Sequence, residues 1–337
     1  MNVLYQFNEA YVPYAGVSIF SLLENNRTAE DIVIYILGEK LQNSSIEKIS
    51  QMIEQYKRKV VFIDGLEIIA LLKKLDIPAY RGSYATNLKM FFPLYADKEM
   101  EKVLYIDSDT LVLGDISPLF GWEIPDAPLN MILDSMAVRH KQYVGHEVDE
   151  YYYNGGVMLF NINCWNEHKC TERIIEHVKE ERAHYMAPDQ DILNVALKNE
   201  IKKLPPQYNL QPLHYRYSYD IYSKFWKQEK YYSKDELEKA IDSPVIIHFF
   251  RFLGEFPWNE KSQHPYTELF NRYLEKSPWS GMKKEKAAQE GMVFKIERLL
   301  YKILPDSLFM FIFKIGYESF IRKAEHDSRK GKNHRNM

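Results

Sequence analysis

The segment from residue 102 to residue 112 reads Lys102-Val-Leu-Tyr-Ile-Asp107-Ser-Asp109-Thr110-Leu-Val. Its first half is a short apolar run of β-branched and aromatic residues, which predicts a buried strand over residues 103–106. Two carboxylates, Asp107 and Asp109, follow at the carboxyl end of that strand. Ligands of open α/β sheets bind just beyond this end of the strands, so we expect the chemistry of the protein here.

The rest of the chain surrounds this segment with alternating strand and helix patterns. Strand-length apolar runs at residues 2–7, 32–37, 60–63 and 103–106 alternate with helical spacing at 12–24, 44–58 and 66–74. The order predicts an α/β fold whose largely parallel sheet is covered by helices on both faces. Beyond Thr110 the pattern is looser, with strands expected near residues 131–133, 157–162 and 245–249 and helices over 163–182 and 189–197.

Composition excludes several classes of protein. The 337 residues are 46% apolar and include 18 Phe, 5 Trp and 25 Tyr, which excludes a disordered or collagen-like chain. Two cysteines, Cys164 and Cys170, are too few for a disulfide scaffold, so a reducing compartment is expected. The first basic residue is Arg27, which does not fit a secretory signal, and the apolar stretch 308–315 is too short to span a bilayer.

The two ends of the chain differ in charge. Residues 292–337 carry a net charge of +5, whereas residues 1–291 carry −8. We therefore expect a catalytic domain over residues 1–280 and an amphipathic, basic, helical tail over residues 281–337. Such a tail can bind an anionic membrane surface. The alternative is a helical pair that packs on the domain or on a second subunit.

The paired carboxylates predict a metal site. Mg²⁺ and Mn²⁺ prefer oxygen ligands and are commonly held by one or two carboxylates together with substrate phosphates. The bare pattern is weak, because 17 Asp residues give about one Asp-x-Asp by chance and residues 189–191 form a second. A solvated strand end is the alternative. A phosphatase with an aspartyl nucleophile is disfavoured, because Thr110 follows Asp109 directly and the motif lies on about the fourth strand.

Seven segments of the chain, taken in order, place the Asp107-Ser-Asp109 motif in a wider pattern. They are Asn8-Glu-Ala-Tyr11, Ala85-Thr-Asn-Leu-Lys89-Met-Phe-Phe-Pro93, the segment 102–112, Ile132-Leu-Asp134, Tyr152-Tyr-Asn154-Gly155-Gly156-Val-Met-Leu-Phe-Asn161, Pro188-Asp189-Gln190-Asp191-Ile-Leu-Asn194, and His248-Phe249 with Pro257-Trp258. Together they resemble the family 8 glycosyltransferases, retaining enzymes that use UDP-sugars, from residue 1 to about residue 275. The resemblance implies a GT-A type α/β fold, with a Rossmann-like mixed sheet flanked by helices.

The resemblance also implies a role for each matching residue. Asp107, Asp109 and His248 correspond to the ligands of Mn²⁺ or Mg²⁺, although a histidine that ends an apolar run is alone more typical of a strand end. Tyr11 corresponds to the residue that stacks on uracil, or it belongs to the core. Asn8 stands where the family usually has an Asp beside the uracil edge, and its amide oxygen can still accept a hydrogen bond.

The sugar pocket is assigned in the same way. The implied sugar-binding residues are Asp134, Asn154 and Gly155. Gly155 and Gly156 permit close approach of the backbone to a ligand, or they mark a β-bulge. Asp189 and Gln190 are the implied catalytic residues. Gln190 is a poor nucleophile, so we expect front-face transfer with electrostatic support from both side chains. Asp189 also suits the first turn of a helix, and that position is compatible with sugar binding.

Two departures from the family pattern concern charge. Lys89 stands where the family usually has Arg, which keeps the charge but loses the planar fork. Phe256 stands where a phosphate-contacting Lys is expected, in a segment that is two residues longer between His248 and Pro257. Arg251 is therefore the candidate cation for the diphosphate.

These observations predict a hexosyltransferase. It would move glucose or galactose from a UDP-hexose to an oligosaccharide or lipid-linked glycan of the cell surface, with no nucleic acid as partner. The expected location is cytoplasmic, peripherally associated with the inner face of the plasma membrane. The alternative is a catalytically weak relative that binds a nucleotide-sugar or glycan without transferring it.

Overall fold

The computed structural model of the chain describes residues 1–29, 31–77, 79, 82–121, 127–181, 185–250, 255–286 and 292–335. The strands in these residues are β1 (Asn2–Asn8), β2 (Val33–Glu39), β3 (Lys59–Asp64), β4 (Lys102–Ile106), β5 (Thr110–Val112), β6 (Leu129–Leu133), β7 (Tyr153–Asn161), β8 (Ile201–Lys203) and β9 (Ile246–His248). The helices are α1 (Val12–Asn25), α2 (Asn43–Gln55), α3 (Leu66–Lys74), α4 (Ala85–Leu88), α5 (Ser117–Gly121), α6 (Ala137–Tyr143), α7 (Ile162–Glu167), α8 (Cys170–Glu181), α9 (Pro188–Ala196), α10 (Pro212–Arg216), α11 (Tyr219–Trp226), α12 (Lys234–Asp242), α13 (Thr267–Lys276), α14 (Met292–Ile303) and α15 (Asp306–Arg335). Short 3₁₀ turns cover Glu9–Tyr11, Lys89–Tyr95 and Pro206–Tyr208.

Seven strands form one mixed sheet in the order β3-β2-β1-β4-β7-β6-β8. The first four are parallel to one another, β7 runs antiparallel to both β4 and β6, and β8 is parallel to β6. The central residues of β1 and β2 are buried on both sides of the sheet, as continuous apolar runs predict. The predicted mixed α/β sheet with flanking helices is therefore confirmed.

A two-stranded ribbon lies beside this sheet and carries the residues that follow β4. Strand β5 pairs antiparallel with β9, and Thr110 lies opposite His248. The backbone N–H of Phe249 also donates to the carbonyl of Asp109, at 2.8 Å. The ribbon thus joins two segments that are more than a hundred residues apart in sequence.

The predicted helix over residues 163–182 is wrong in its continuity. The structure has α7 and α8 instead, with Lys169 between them at a φ of +51°. This left-handed conformation ends the first helix and lets the second leave in a new direction. Trp165 and Cys170 are both buried, so each helix packs its own side chains into the core. Residue Arg182 lies outside the described residues.

The tail helices have one face against the domain. Phe309, Met310 and Ile321 are buried, and the rings of Phe313 and Tyr317 lie 6.0 and 5.3 Å from that of Trp226 on α11. An ion pair of 3.0 Å between Arg139 on α6 and Glu325 fixes α15 further along its length.

The opposite face of the tail helices is exposed. The exposed apolar residues are Met292, Ile296, Leu299 and Ile303 on α14, and Leu308, Phe311, Ile312, Ile315 and Phe320 on α15. In the part of the chain that the structure describes, none of the helices is long and apolar enough to cross a membrane.

Candidate active site

Asp107, Asp109 and His248 come together because β4 ends where the β5–β9 ribbon begins. Nε2 of His248 lies 3.2 Å from Oδ1 of Asp109 and 3.6 Å from Oδ2 of Asp107. One ligand atom from each of the three side chains falls within 4.8 Å of the other two. Two carboxylates and an imidazole suit a hard or borderline divalent cation.

The turn that presents the carboxylates is held by hydrogen bonds. The Tyr105 hydroxyl donates to the Asp107 carboxylate, and the Thr110 hydroxyl donates to the Asp107 carbonyl at 2.8 Å. The Ser108 hydroxyl donates to the carbonyl of Gln6 on β1, at 2.9 Å. The position of the carboxylates is therefore set by the sheet before any ligand arrives.

The electrostatics of this cluster favour a cation. Burial and the neighbouring carboxylate of Asp109 raise the pKa of Asp107. Burial alone would lower the pKa of His248, but the Asp109 carboxylate beside it raises that pKa instead. The two acids thus repel each other and attract positive charge, which a divalent cation would supply.

Lys89 lies between the acid cluster and the proposed sugar pocket. Its side chain is only 1% exposed, and Nζ lies 2.7 Å from Oδ2 of Asp189 and 3.7 Å from Oδ1 of Asp107. Nζ also donates to the Gly155 carbonyl at 2.7 Å and lies over the ring of Tyr105. Burial alone would lower the pKa of Lys89, but Asp107 and Asp189 raise it, so the ammonium stays charged.

The predicted sugar-pocket residues are hydrogen-bonded to one another. Oδ2 of Asp134, at the end of β6, accepts from Asn154 Nδ2 at 3.0 Å and from Gln190 Nε2 at 3.3 Å. Oε1 of Gln190 accepts from the backbone N–H of Gly155 at 2.9 Å. Asp189 lies in the first turn of α9. The end of β6 and the starts of β7 and α9 therefore meet beside the acid cluster.

Gln190 is held by further hydrogen bonds from residues to which the sequence analysis assigned no role. Its Nε2 also donates to the Tyr152 hydroxyl at 3.2 Å, and that hydroxyl in turn donates to the Asp191 carboxylate. Nε2 of His140 lies 2.6 Å from Oδ1 of Asp191. Burial alone would lower the pKa of His140, and Asp191 raises it. His140 on α6, Tyr152 before β7 and Asp191 on α9 are brought together only by the fold, so the sequence did not show that they act as a unit.

Asn8 and Tyr11 lie at the carboxyl end of β1. The Tyr11 ring is 37% exposed and packs edge-on against Tyr14, with the ring centroids 5.7 Å apart. Oδ1 of Asn8 is buried, and among the described residues it has no hydrogen-bond partner. A buried amide oxygen of this kind requires a donor, and a bound ligand can supply one.

Phe256, which stands where the family has a lysine, packs among aromatic rings. The Phe256 ring stacks on Trp258 at 4.5 Å and 7°, and Trp258 stacks on Tyr14 at 4.4 Å. Phe256 is therefore part of an aromatic stack rather than a phosphate ligand. Arg251, the candidate cation, lies outside the described residues.

Comparison with known proteins agrees with this geometry. The chain matches the family model described as Glycosyl transferase family 8 over residues 2–262. It is 27% identical over 310 residues to a lipopolysaccharide 1,2-glucosyltransferase of Escherichia coli, covering 89% of this chain and 86% of that protein. It is 24% identical over 285 residues to General stress protein A of Bacillus subtilis, covering 83% of this chain and 95% of that protein.

Solved structures share the fold. The galactosyltransferase LgtC, solved with donor and acceptor sugar analogues, superposes with a TM-score of 0.66 at 19% identity, covering 83% of this chain and 99% of that one. The glycosyltransferase GlyE of Streptococcus pneumoniae gives a TM-score of 0.57 at 20% identity, covering 90% of this chain and 64% of that one. The fold is thus the GT-A fold, and the chain belongs to glycosyltransferase family 8.

Proposed function

We propose that this glycosyltransferase is a retaining, metal-dependent hexosyltransferase that moves glucose or galactose from a UDP-hexose to a cell-surface glycan, expected to be lipid-linked. The observation that carries the proposal is that the cluster of Asp107, Asp109 and His248 is linked through Lys89 to Asp189, which precedes Gln190 and its hydrogen bond to Asp134. A leaving diphosphate and a reacting sugar need adjacent sites of these two kinds.

The three ligand residues would hold Mn²⁺ or Mg²⁺. The bound cation would act as a Lewis acid on the diphosphate oxygens as the UDP leaving group gains charge. Arg251 is proposed as the side-chain cation that assists there, since Phe256 is committed to its stack.

Gln190 and Asp189 would support the sugar during transfer. Transfer with retention develops positive charge at the anomeric carbon, and the carbonyl dipole of Gln190 and the carboxylate of Asp189 stabilise that charge. Lys89 holds Asp189 in position through the 2.7 Å ion pair. Asp134, Asn154 and the backbone at Gly155 would bind the hexose hydroxyls.

The uracil would lie at the end of β1. The unsatisfied Oδ1 of Asn8 can accept the N–H of the uracil ring, and the exposed ring of Tyr11 offers a stacking surface. The edge of uracil offers one N–H donor and two carbonyl acceptors, and an Asn side chain has both an acceptor and a donor. Asn is therefore chemically suited to the place where the family usually has Asp.

The tail helices are proposed to bind the anionic face of the cytoplasmic membrane. Four exposed apolar residues recur along α14 at intervals of four, three and four, which aligns them on one face. The exposed Lys295 and Lys302 on the same helix add positive charge. Anionic lipid adds about 1 kcal/mol for each basic residue near the surface.

A donor screen tests the proposed activity. Purified protein is incubated with each UDP-sugar in Mn²⁺, and UDP release is followed with and without excess EDTA. We expect release from one UDP-hexose in preference to the others, and none in EDTA. Nucleotide-sugar binding without turnover of any UDP-hexose would favour a catalytically weak relative instead.

A further inference from the structure

Four buried polar side chains form a continuous hydrogen-bonded chain from the sugar pocket to the metal cluster. Asn154 Nδ2 donates to Asp134 Oδ2 at 3.0 Å, and Asn209 Nδ2 donates to Asn154 Oδ1 at 2.8 Å. Oδ1 of Asn209 lies 3.0 Å from Nδ1 of His248. Asn209 is only 1% exposed, and neither its sequence context nor the family segments pointed to it.

The direction of every bond in this chain follows from its first member. The Asp134 carboxylate can only accept, so Asn154 must turn its NH₂ group toward Asp134 and its oxygen away. That oxygen already accepts from the backbone N–H of Gly156 at 3.0 Å, which fixes the same orientation independently. Asn209 must then donate to Asn154, which leaves its own oxygen facing His248.

An amide oxygen beside Nδ1 determines the tautomer of the imidazole. Nδ1 must carry the proton in order to donate to Asn209 Oδ1, so in the neutral ring Nε2 is the atom with the free lone pair. Nε2 is also the atom that faces Asp109, at 3.2 Å. Histidine ligands of metals are commonly fixed in this way by a partner on the other ring nitrogen.

The backbone holds Asn209 firmly enough to perform this task. The N–H of Leu210 donates to the Ile246 carbonyl at 2.8 Å, and the N–H of His248 donates to the Leu210 carbonyl at 3.0 Å. The loop that carries Asn209 is therefore bonded to β9 at Ile246 and at His248 itself. A Cβ at Gly156 would lie 2.1 Å from Cε1 and 2.4 Å from Nδ1 of His248. The imidazole thus packs directly against the backbone at Gly156, next to its contact with Asn209.

We propose that Asn209 is a positioning residue that couples the two halves of the active site. One end of its amide presents Nε2 of His248 to the metal, and the other end orients Asn154 in the sugar pocket. The inference rests on the proposed metal-dependent transfer, and it adds a residue whose two contacts can be removed separately.

Two variants separate the contacts. Asn209→Leu removes both, whereas Asn209→Asp keeps an acceptor toward His248 but replaces the donor toward Asn154 with a second acceptor. The matched control is Asn26→Leu, because Asn26 is also buried and its amide makes three hydrogen bonds, to Leu22, Gly114 and Ile116, away from the site. Binding of Mn²⁺ in the presence of UDP is measured by the electron paramagnetic resonance of free Mn²⁺, and transfer is measured separately.

We expect Asn209→Leu to bind Mn²⁺ roughly 10- to 100-fold more weakly than the wild type, as loss of such a partner typically does. Asn209→Asp should keep wild-type Mn²⁺ affinity or exceed it, yet lose about tenfold or more in the rate of transfer. Asn26→Leu should be destabilised but bind Mn²⁺ like the wild type.

A spectroscopic measurement tests the same inference without metal, in a background in which Asp107→Ala and Asp109→Ala remove the two carboxylates that would otherwise hold a proton on Nε2 of His248. Long-range ¹H–¹⁵N correlation on protein with ¹⁵N-labelled histidine reports the tautomer of each neutral ring, and His248→Gln assigns the signal. We expect the Nδ1–H form for His248 in this background, and loss of that preference when Asn209→Leu is added.

The outcomes distinguish the inference from the function on which it rests. Wild-type protein that fails to bind Mn²⁺ with UDP would contradict the proposed metal dependence, while the tautomer would still decide the role of Asn209. Unchanged Mn²⁺ affinity in Asn209→Leu, full transfer by Asn209→Asp, or an Nε2–H tautomer of His248 in the Asp107→Ala, Asp109→Ala background would each overturn the inference.

Discussion

At position 156 only glycine leaves room for the imidazole of His248. A Cβ there would lie 2.1 Å from Cε1 and 2.4 Å from Nδ1 of the ring, so the ring would have to move away from Asp109. We predict that Gly156→Ala weakens Mn²⁺ binding by at least about tenfold, measured by calorimetry in the presence of UDP. Gly121→Ala is the control, because a Cβ at that position meets no atom within 4 Å. Equal Mn²⁺ affinity in the two variants would show that the ring does not need its observed position.

Removal of Lys89 should cost considerable stability. Its ammonium is buried between the carboxylates of Asp189 and Asp107, and Lys89→Met would leave Asp189 without its cation and Asp107 with His248 alone. Removing one partner of a buried ion pair typically costs about 3 to 5 kcal/mol. Urea unfolding of Lys89→Met should show a loss of that order.

The control for that measurement is a surface pair. Lys198→Met removes a 2.7 Å pair with Glu150 in which both side chains are about one-third exposed, and pairs of that kind are worth about 0 to 1 kcal/mol. Similar losses in Lys89→Met and Lys198→Met would contradict the role given to the buried lysine.

The residues of the site differ in how readily they can be predicted from the sequence. The segment that ends in Asp107 and Asp109 could be assigned because a buried strand followed by acids has a local signature. His248 required the family resemblance, since a histidine that ends an apolar run is otherwise ordinary. Asn209 could not be found and Tyr152 received no role, because a buried amide or hydroxyl acquires its function from partners on other elements. The roles of the site residues in catalysis stay predictions.

Among the elements, length and burial decided which could be predicted. The strands β1, β2 and β4 are buried parallel strands with continuous apolar runs, and their positions were predicted within a few residues. Strands β5 and β8 have three residues each, too few for a periodic pattern. The pairing of β5 with β9 joins distant segments, and no local propensity encodes such a contact.

The four exposed apolar residues of α14 are predicted to be required for binding to anionic membranes. Leu299→Asp with Ile303→Asp places two carboxylates on the face that we propose enters the bilayer interface. Co-sedimentation with anionic vesicles should fall by about tenfold or more. The change replaces two apolar side chains that would be buried in the bilayer interface, and it adds negative charge. The control Leu66→Asp makes the same change at an exposed leucine of the domain, at the start of α3. Equal sedimentation of both variants, or a change from dimer to monomer in the tail variant, would assign these apolar residues to another partner.

Across the whole molecule, buried neutral histidines should make the free energy of unfolding decrease as the pH falls. Burial lowers the pKa of His214 to about 3, and burial with the nearby Arg216 lowers that of His264 to about 2. In the unfolded chain both take up a proton near pH 6.5. The unfolded state therefore binds more protons below that pH, so their contribution is intact above pH 6.5 and is lost progressively as the pH falls toward 3.

Each such histidine should remove about 1.4 kcal/mol of unfolding free energy per pH unit below 6.5. His214→Gln keeps a polar partner for Tyr231 but cannot titrate, so its stability should fall less steeply between pH 6.5 and 5. Urea unfolding at several pH values measures the two slopes. The same slope for variant and wild type would show that His214 already binds its proton in the folded state.

Asp107, Asp109 and His248 are proposed to hold the divalent cation that binds the diphosphate of the UDP-sugar. Calorimetric titration of UDP into the protein, with Mn²⁺ and with excess EDTA, tests it most directly when wild type and Asp109→Asn are compared. Asp109→Asn preserves the shape of the side chain, so its fold should stay intact by thermal unfolding. We predict that the wild type binds UDP at least about a hundredfold more tightly with Mn²⁺ than in EDTA, and that Asp109→Asn loses this difference. Equal UDP affinity of the wild type in Mn²⁺ and in EDTA would contradict the claim.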